Sequence, residues 1–217
     1  MISEPTQKQL ASLVVPPDKP LIICDVDEVI VHFIQDFENF IAPQGFHMEP
    51  GDPSKPYIVR EIKSGKQINT PKIIELIDTF FATRTRDMKP IKGAVEGLQR
   101  FTRHANIVML TNLPHFAGDD RRANLAALGL DFPVITNSGP KGPALSNIAK
   151  RVAGPVVFID DSQSFIQSAY DHAPHIHLVH FLHDERYSKF VPELDYVSLR
   201  SNNWQDVSSH VLELLNA

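Results

Sequence analysis

The segment LIICDVDEVI, Leu21 to Ile30, decides how this chain is read. Four apolar residues lead into Asp25 and Asp27, and apolar character resumes after Glu28. The run has the length and composition of a buried strand, yet it ends on carboxylates rather than on a neutral turn. A carboxylate in that position must be solvated, paired or bound to a metal, because burying it bare is very costly.

Other short runs rich in β-branched residues follow: NIVMLTN (106–112), FPVITN (132–137), PVVFIDD (155–161) and HIHLVHF (175–181). Helical patterns lie between them. GAVEGLQRFTRHA places Val95, Leu98 and Phe101 on one face, and DDRRANLAALGL starts acidic and runs to Gly129. PALSNIAKRVAG and DSQSFIQSAYDHA repeat the theme, with Ser162 as an N-cap. Strands alternating with helices of this length predict an α/β fold, a Rossmann-like parallel sheet covered by helices in three layers. In such sheets ligands bind outside the carboxyl ends of the strands.

Between Val31 and Lys92 the alternation stops. FIQDFENFIA reads as a helix and PQGFHMEPGDPSKP as a turn-rich stretch. YIVREIKSGKQIN reads as a strand pair turning at Ser64-Gly65. A helix then starts at Thr70, a capping residue, with Pro71 in its first turn. It carries Ile73, Ile74, Leu76, Ile77, Phe80 and Phe81 and must pack on something, with Phe33, Phe37, Phe40 and Phe46 as partners in a small core. Residues 31–92 are therefore expected to be an inserted, mainly helical cap, and residues 1–30 and 93–217 the catalytic core. Residues 1–19 read as an arm or a short lead-in helix, and WQDVSSHVLELL as a closing helix burying Val207, Val211, Leu212 and Leu215.

The 217 residues are 42% hydrophobic and 22% charged, ordinary for a soluble globular protein. Asp and Glu number 26 against 21 Lys and Arg, a net charge of -5, which argues against nucleic acid or an anionic membrane as partner. Cys24 is the single cysteine, so no intrachain disulfide forms and a reducing compartment is expected. We read it as an inert core thiol. The first twenty residues lack the basic segment and apolar core of a secretory signal, and no run is long enough to cross a bilayer. A cytoplasmic protein is expected.

Three of the strands end in polar groups: Asp25 and Asp27, Thr111 and Asn112, and Asp160, Asp161 and Ser162. If these strands are parallel neighbours, the groups gather at one sheet edge. Repulsion among four carboxylates would raise their pKa values unless a cation neutralised them. Oxygen ligands with little all-protein caging suit Mg²⁺. Lys141, in the Gly/Pro-framed loop NSGPKGPAL, can offset carboxylate charge and hold a phosphate oxygen. The set favours phosphoryl transfer to or from a small phosphorylated substrate.

DVDEV, LTN, SGPKG and FIDDS, in that order and context, resemble the motifs of the haloacid dehalogenase-like superfamily of phosphohydrolases. By position, the insertion resembles a C1-type cap. The resemblance implies that Asp25 is a nucleophile forming an aspartyl-phosphate, and that Asp27 protonates the leaving oxygen and then activates water. It implies that Thr111, with Asn112 beside it, and Lys141 bind the phosphoryl group. It implies Mg²⁺ held by Asp25, the backbone carbonyl of Asp27 and the Asp160-Asp161 pair, with Asp161 favoured for direct contact. The dehalogenase branch lacks an acid/base aspartate at the Asp27 position. Glu28 and Val29 stand where Gly-Thr or Gly-Val is common. The implied activity is phosphoric monoester hydrolysis; phosphotransfer of the mutase kind and a non-catalytic phospho-ligand binder are the alternatives.

Arg84 and Arg86 in the insertion are candidate substrate contacts, set against a solvated helix end. His175 and His177 fall on one strand face and His180 on the other, so no histidine metal cluster is expected, and polar exposure at a sheet-end strand accounts for them.

Overall fold

A computed structural model describes residues 2–52 and 55–216. Helix α1 (Glu4–Ser12) precedes strand β1 (Leu21–Cys24). Helix α2 (Ile34–Ile41), strands β2 (Phe46–Asp52) and β3 (Lys55–Glu61) and helix α3 (Thr70–Arg84) follow. The chain then alternates through α4 (Ala94–Phe101), β4 (Asn106–Thr111), α5 (Gly118–Ala127), β5 (Val134–Thr136), α6 (Gly142–Ala149), β6 (Val156–Asp160) and α7 (Gln163–His172). It ends with β7 (His177–Phe181), the short α8 (Glu185–Ser188), β8 (Leu199–Ser201) and α9 (Trp204–Asn216).

Six strands form one parallel sheet in the order β5-β4-β1-β6-β7-β8. Strand β1 is central, with Cys24 opposite Met109 on one side and Ile159 on the other. All four of its residues are fully buried, which is why the run is apolar throughout instead of alternating. Ile22, Met109, Ile159 and Phe181 face a core shared with Leu98, Phe101, Leu125 and Trp204. Leu21, Ile23, Val108, Phe158 and Leu178 face a second core with Leu10, Leu145, Ile148 and Ile166. The period-two split between the cores creates the three layers.

The insertion has its own aromatic centre, continuous with the first core. The Phe37 and Phe80 rings meet edge to face at 5.5 Å, and those of Phe33 and Phe81 stack at 5.7 Å. Ile74, expected to pack inward, is half exposed.

Four local expectations are corrected. The stretch read as turn-rich contains β2, which pairs antiparallel with β3 and sets Met48 opposite Val59. Pro50 and Gly51 disfavour a strand locally, but burying Met48 and Val59 outweighs them. Pro53 and Ser54 of that stretch lie outside the described residues. The chain does turn at Ser64-Gly65, yet it returns as an isolated bridge, Arg60–Gln67, with bonds from Glu61 N–H to the Lys66 carbonyl and from Ile68 N–H to the Val59 carbonyl. Asn69, not Thr70, caps α3, its side-chain oxygen accepting from Lys72 N–H at 3.0 Å. Ser162 sits at the N-cap of α7 without capping it, its hydroxyl lying 2.9 Å from that of Ser164.

No helix among the described residues is long and apolar enough to cross a membrane. Phe80 is fully buried and touches the rings of Phe33, Phe37, Phe40 and Phe81. Phe80→Ala is expected to lower unfolding free energy by about 3–5 kcal/mol in urea titrations.

Candidate active site

The sheet ladder continues one step beyond β1, because Asp25 N–H donates to the Ile159 carbonyl at 2.9 Å. That bond fixes Asp25 at the carboxyl edge beside the end of β6. Asp25, Asp160 and Asp161 each offer a carboxylate oxygen there, all within 4.8 Å of one another.

Lys141 reaches this edge from the N-terminus of α6 and is fully buried. Its Nζ lies 2.7 Å from Asp160 Oδ2 and 2.8 Å from Asp25 Oδ1. The first contact is a directed hydrogen bond; the second is a charge contact outside hydrogen-bond alignment. Close helix packing sets the lysine's position. A Cβ on Gly142 would lie 2.0 Å from the Ser168 carbonyl oxygen, so α6 can approach α7 this closely only with glycine there. Burial disfavours the ammonium, but Asp160 and Asp25 more than compensate and hold its pKa above the ordinary lysine value.

The carboxylate pKa values rise as well, which for an acid favours the neutral form. Burial pushes Asp160 up to about 7 against the pull of Lys141. Burial, then Asp160 and Asp25, push Asp161 well above the usual range. Three carboxylates facing one ammonium leave an excess of negative charge, and the donor atoms are all hard oxygens. That set fits a divalent cation of the Mg²⁺ type. Asp160 already accepts from Lys141 and, through Oδ1, from Ser162 N–H at 2.9 Å. The Asp161 side chain has no hydrogen-bond or ion-pair partner among the described residues. Behind it His180, fully buried on β7, donates from Nε2 to the Asp161 carbonyl at 3.0 Å. This corrects the expectation of exposure for His180, which β8 flanks, while His175 is exposed and His177 partly so. Burial lowers His180 to about 4, so its ring is neutral near pH 7.

Asp27 lies outside the three-carboxylate cluster. Its Oδ2 accepts from the Thr111 hydroxyl at 3.2 Å, and its Oδ1 pairs with the guanidinium of Arg121 on α5. Burial raises its pKa, Arg121 restrains the rise and Asp25 adds to it. The turn after Asp27 is tight, with the Val26 carbonyl accepting from the N–H groups of Val29, Ile30 and Val31. Glu28 adopts φ 60°, the left-handed region where glycine is at ease. Its carboxylate offsets that strain by accepting from Phe33 N–H at 3.0 Å and Ile34 N–H at 2.8 Å, which ties the turn to the start of α2. The Trp204 indole donates to the Val29 carbonyl at 2.9 Å.

Asn112 is used differently from the expectation. Its amide bonds the Gly139 carbonyl at 2.8 Å and Asn137 at 2.9 Å, bracing the loop that delivers Lys141. Arg84 and Arg86 are not brought to the edge. The Arg84 guanidinium lies 6.0 Å from the Phe40 ring centre, and Arg86 pairs with Asp120 at 2.6 Å. A cavity of about 150 Å³ adjoins Asp161, walled by Glu28, Gln163, Tyr57, Tyr187 and Phe190. No lysine or arginine lines it among the described residues. Cys24 is fully buried, and burial holds its thiol well above the usual range, as befits an inert core residue.

The His180 environment makes stability depend on pH. The unfolded chain takes up a proton as pH falls through about 6.5, whereas the folded chain resists until about 4. Stability attributable to His180 is therefore lost as pH falls across that window. Wild type should lose up to about 1.4 kcal/mol per pH unit more than His180→Gln there, read from urea unfolding at several pH values.

No protein family model matches the chain, and no curated protein matches it in sequence. Its fold is shared by many solved structures. A haloacid dehalogenase-family hydrolase of Deinococcus radiodurans, solved with bound phosphate and sodium, superposes with a TM-score of 0.56 at 14% identity, over 92% of this chain and 97% of that one. A haloacid dehalogenase-like protein of Agrobacterium tumefaciens aligns with a TM-score of 0.58 at 18% identity, over 89% and 97%. The L-2-haloacid dehalogenase PA0810 aligns at 0.59 with 9% identity, over 90% and 99%. The chain therefore has the fold of these haloacid dehalogenase-like proteins.

Proposed function

We propose that this protein is a Mg²⁺-dependent phosphatase that hydrolyses a small phosphate monoester through an aspartyl-phosphate. The observation that carries the reading is the buried Lys141 held between Asp25 and Asp160, with Asp27 alongside in a separate, arginine-bound environment.

An Asp25 carboxylate oxygen attacks phosphorus, and the bond to the ester oxygen breaks as that oxygen takes the proton of the Asp27 carboxyl. Water then attacks the aspartyl-phosphate and gives a proton to the Asp27 carboxylate. Inorganic phosphate departs and Asp25 returns as a carboxylate. Lys141 and the Thr111 hydroxyl steady the phosphoryl oxygens. Asp25, Asp161 and the Asp27 backbone carbonyl would hold Mg²⁺, which when bound supplies charge neutralisation at the phosphoryl group.

Asp27 favours ester over halide chemistry, because an alkoxide needs a proton on departure and a halide does not. The cavity beside Asp161 is the compartment for the rest of the substrate. Its carboxylate and aromatic walls suit a neutral or cationic group with a flat apolar part. With no lysine or arginine lining it among the described residues, it disfavours the second phosphate that a mutase must retain. The lone buried cysteine fits a reducing, cytoplasmic setting, and the net negative charge fits a small-molecule substrate.

Phosphate release should require Mg²⁺, vanish with EDTA and return on adding Mg²⁺ back. Asp25→Asn should lower kcat by about three orders of magnitude or more. In a panel of phosphorylated metabolites, esters carrying a second phosphate should be the poorer substrates. Tight phospho-ligand binding with no turnover by wild type would replace this reading with that of a binding protein.

A further inference from the structure

Within DDRRANL, Arg121 looks like one charge among several on a solvated helix face. Its neighbour Arg122 behaves that way, half exposed and paired with Asp119 at 2.6 Å. Arg121 itself is fully buried. Its Nη2 pairs with Asp27 Oδ1 and lies 3.3 Å from the Met88 sulfur, and its Nη1 donates to Asn124 Oδ1 at 3.1 Å. Its Nε has no partner among the described residues. Asn124 is anchored in turn, donating to the carbonyls of Arg86 at 3.0 Å and Met88 at 2.9 Å, where the insertion rejoins the core.

Burying a guanidinium is costly, and replacing such pairs with apolar residues is often neutral or stabilising. Stability therefore gives little reason for an arginine here. Its one ion-pair partner is the carboxylate that the proposed mechanism uses for proton transfer. That carboxylate has only two oxygens. Arg121 occupies Oδ1, and among the described residues Oδ2 meets only the Thr111 hydroxyl, which the proposed mechanism places at the phosphoryl group.

We propose that Arg121 is a positioning residue that locks Asp27 into one rotamer. The lock reserves Oδ2 as the oxygen that gives the proton to the leaving group and later takes one from water. The proposal rests on reading Asp27 as the proton donor. Asn124, and through it the backbone at Arg86 and Met88, holds Arg121 in register. Orientation of a catalytic group is a large part of its effect, so loosening the lock reduces proton transfer without removing the carboxylate.

The test compares 4-nitrophenyl phosphate with phenyl phosphate, which are similar in shape. Nitrophenolate leaves readily unprotonated, whereas phenolate gains from a proton donor. kcat/KM is measured on both for wild type, Asp27→Asn, Arg121→Met and Arg121→Lys, with folding checked by circular dichroism and melting. Asp27→Asn should lose about tenfold or more extra on phenyl phosphate. Arg121→Met should reproduce that excess, and Arg121→Lys should recover part of it while retaining the buried charge. Adding Arg121→Met to Asp27→Asn should produce no further excess. If Asp27→Asn shows the excess but a folded Arg121 variant loses equally on both substrates, Arg121 is merely structural and the proposal fails while Asp27 keeps its role. If Asp27→Asn shows no excess, the proton-donor reading falls and takes the proposal with it. Should Arg121→Met not fold, Arg121→Lys alone decides: a smaller excess of the same sense supports the lock, and a uniform loss overturns it.

Discussion

The contact on which the site depends is the buried ammonium of Lys141 between Asp25 and Asp160. Parallel strands side by side bring their carboxyl ends to one edge, and here two adjacent strand ends carry aspartates. The fold thus concentrates like charges where water is scarce. Such an edge stays folded only if a cation enters from another element, and α6 delivers it. The route depends on a missing side chain, since any Cβ on Gly142 would collide with α7 and withdraw the lysine. The Phe165 ring, 4.8 Å from Nζ, closes the other side and adds a cation–π contact.

The two aspartates of the first motif occupy different electrostatic surroundings although one residue separates them. Asp25 faces a lysine and two carboxylates; Asp27 faces an arginine and a hydroxyl. In the proposed mechanism this separation lets one chain segment provide both the attacking carboxylate and a distinct group for proton transfer. The turn between them and the insertion carries its own fastening. Glu28 replaces the conformational freedom of glycine with a carboxylate that binds two backbone donors at the start of α2. The residue that departs from the common pattern therefore joins the motif to the insertion.

What the sequence disclosed and withheld follows from the range of each interaction. The strands and their acidic ends were legible because an uninterrupted apolar run ending in carboxylates is a local pattern. Strand β2 was hidden because Pro50 and Gly51 advertise a turn, while the opposing evidence, Val59 across the hairpin, lies in another segment. His180 was read as exposed because β8, the strand that flanks it, is three residues long and two of them, Arg200 and Ser201, are polar. Arg121 was illegible for a similar reason. DDRR carries an ordinary surface signature, and nothing within a helical turn tells its two arginines apart. Only the docking of α5 against the Asp27 turn does so.

The bond from the Trp204 indole to the Val29 carbonyl joins residues 175 positions apart in sequence. Because chains emerge from the ribosome N-terminus first, Asp25 and Asp27 are made long before the helix that braces their turn. Lys141 and Asp160 also come later, and the ion pairs of the edge form only once both are present. The turn is thus made without this brace and acquires it only when α9 docks.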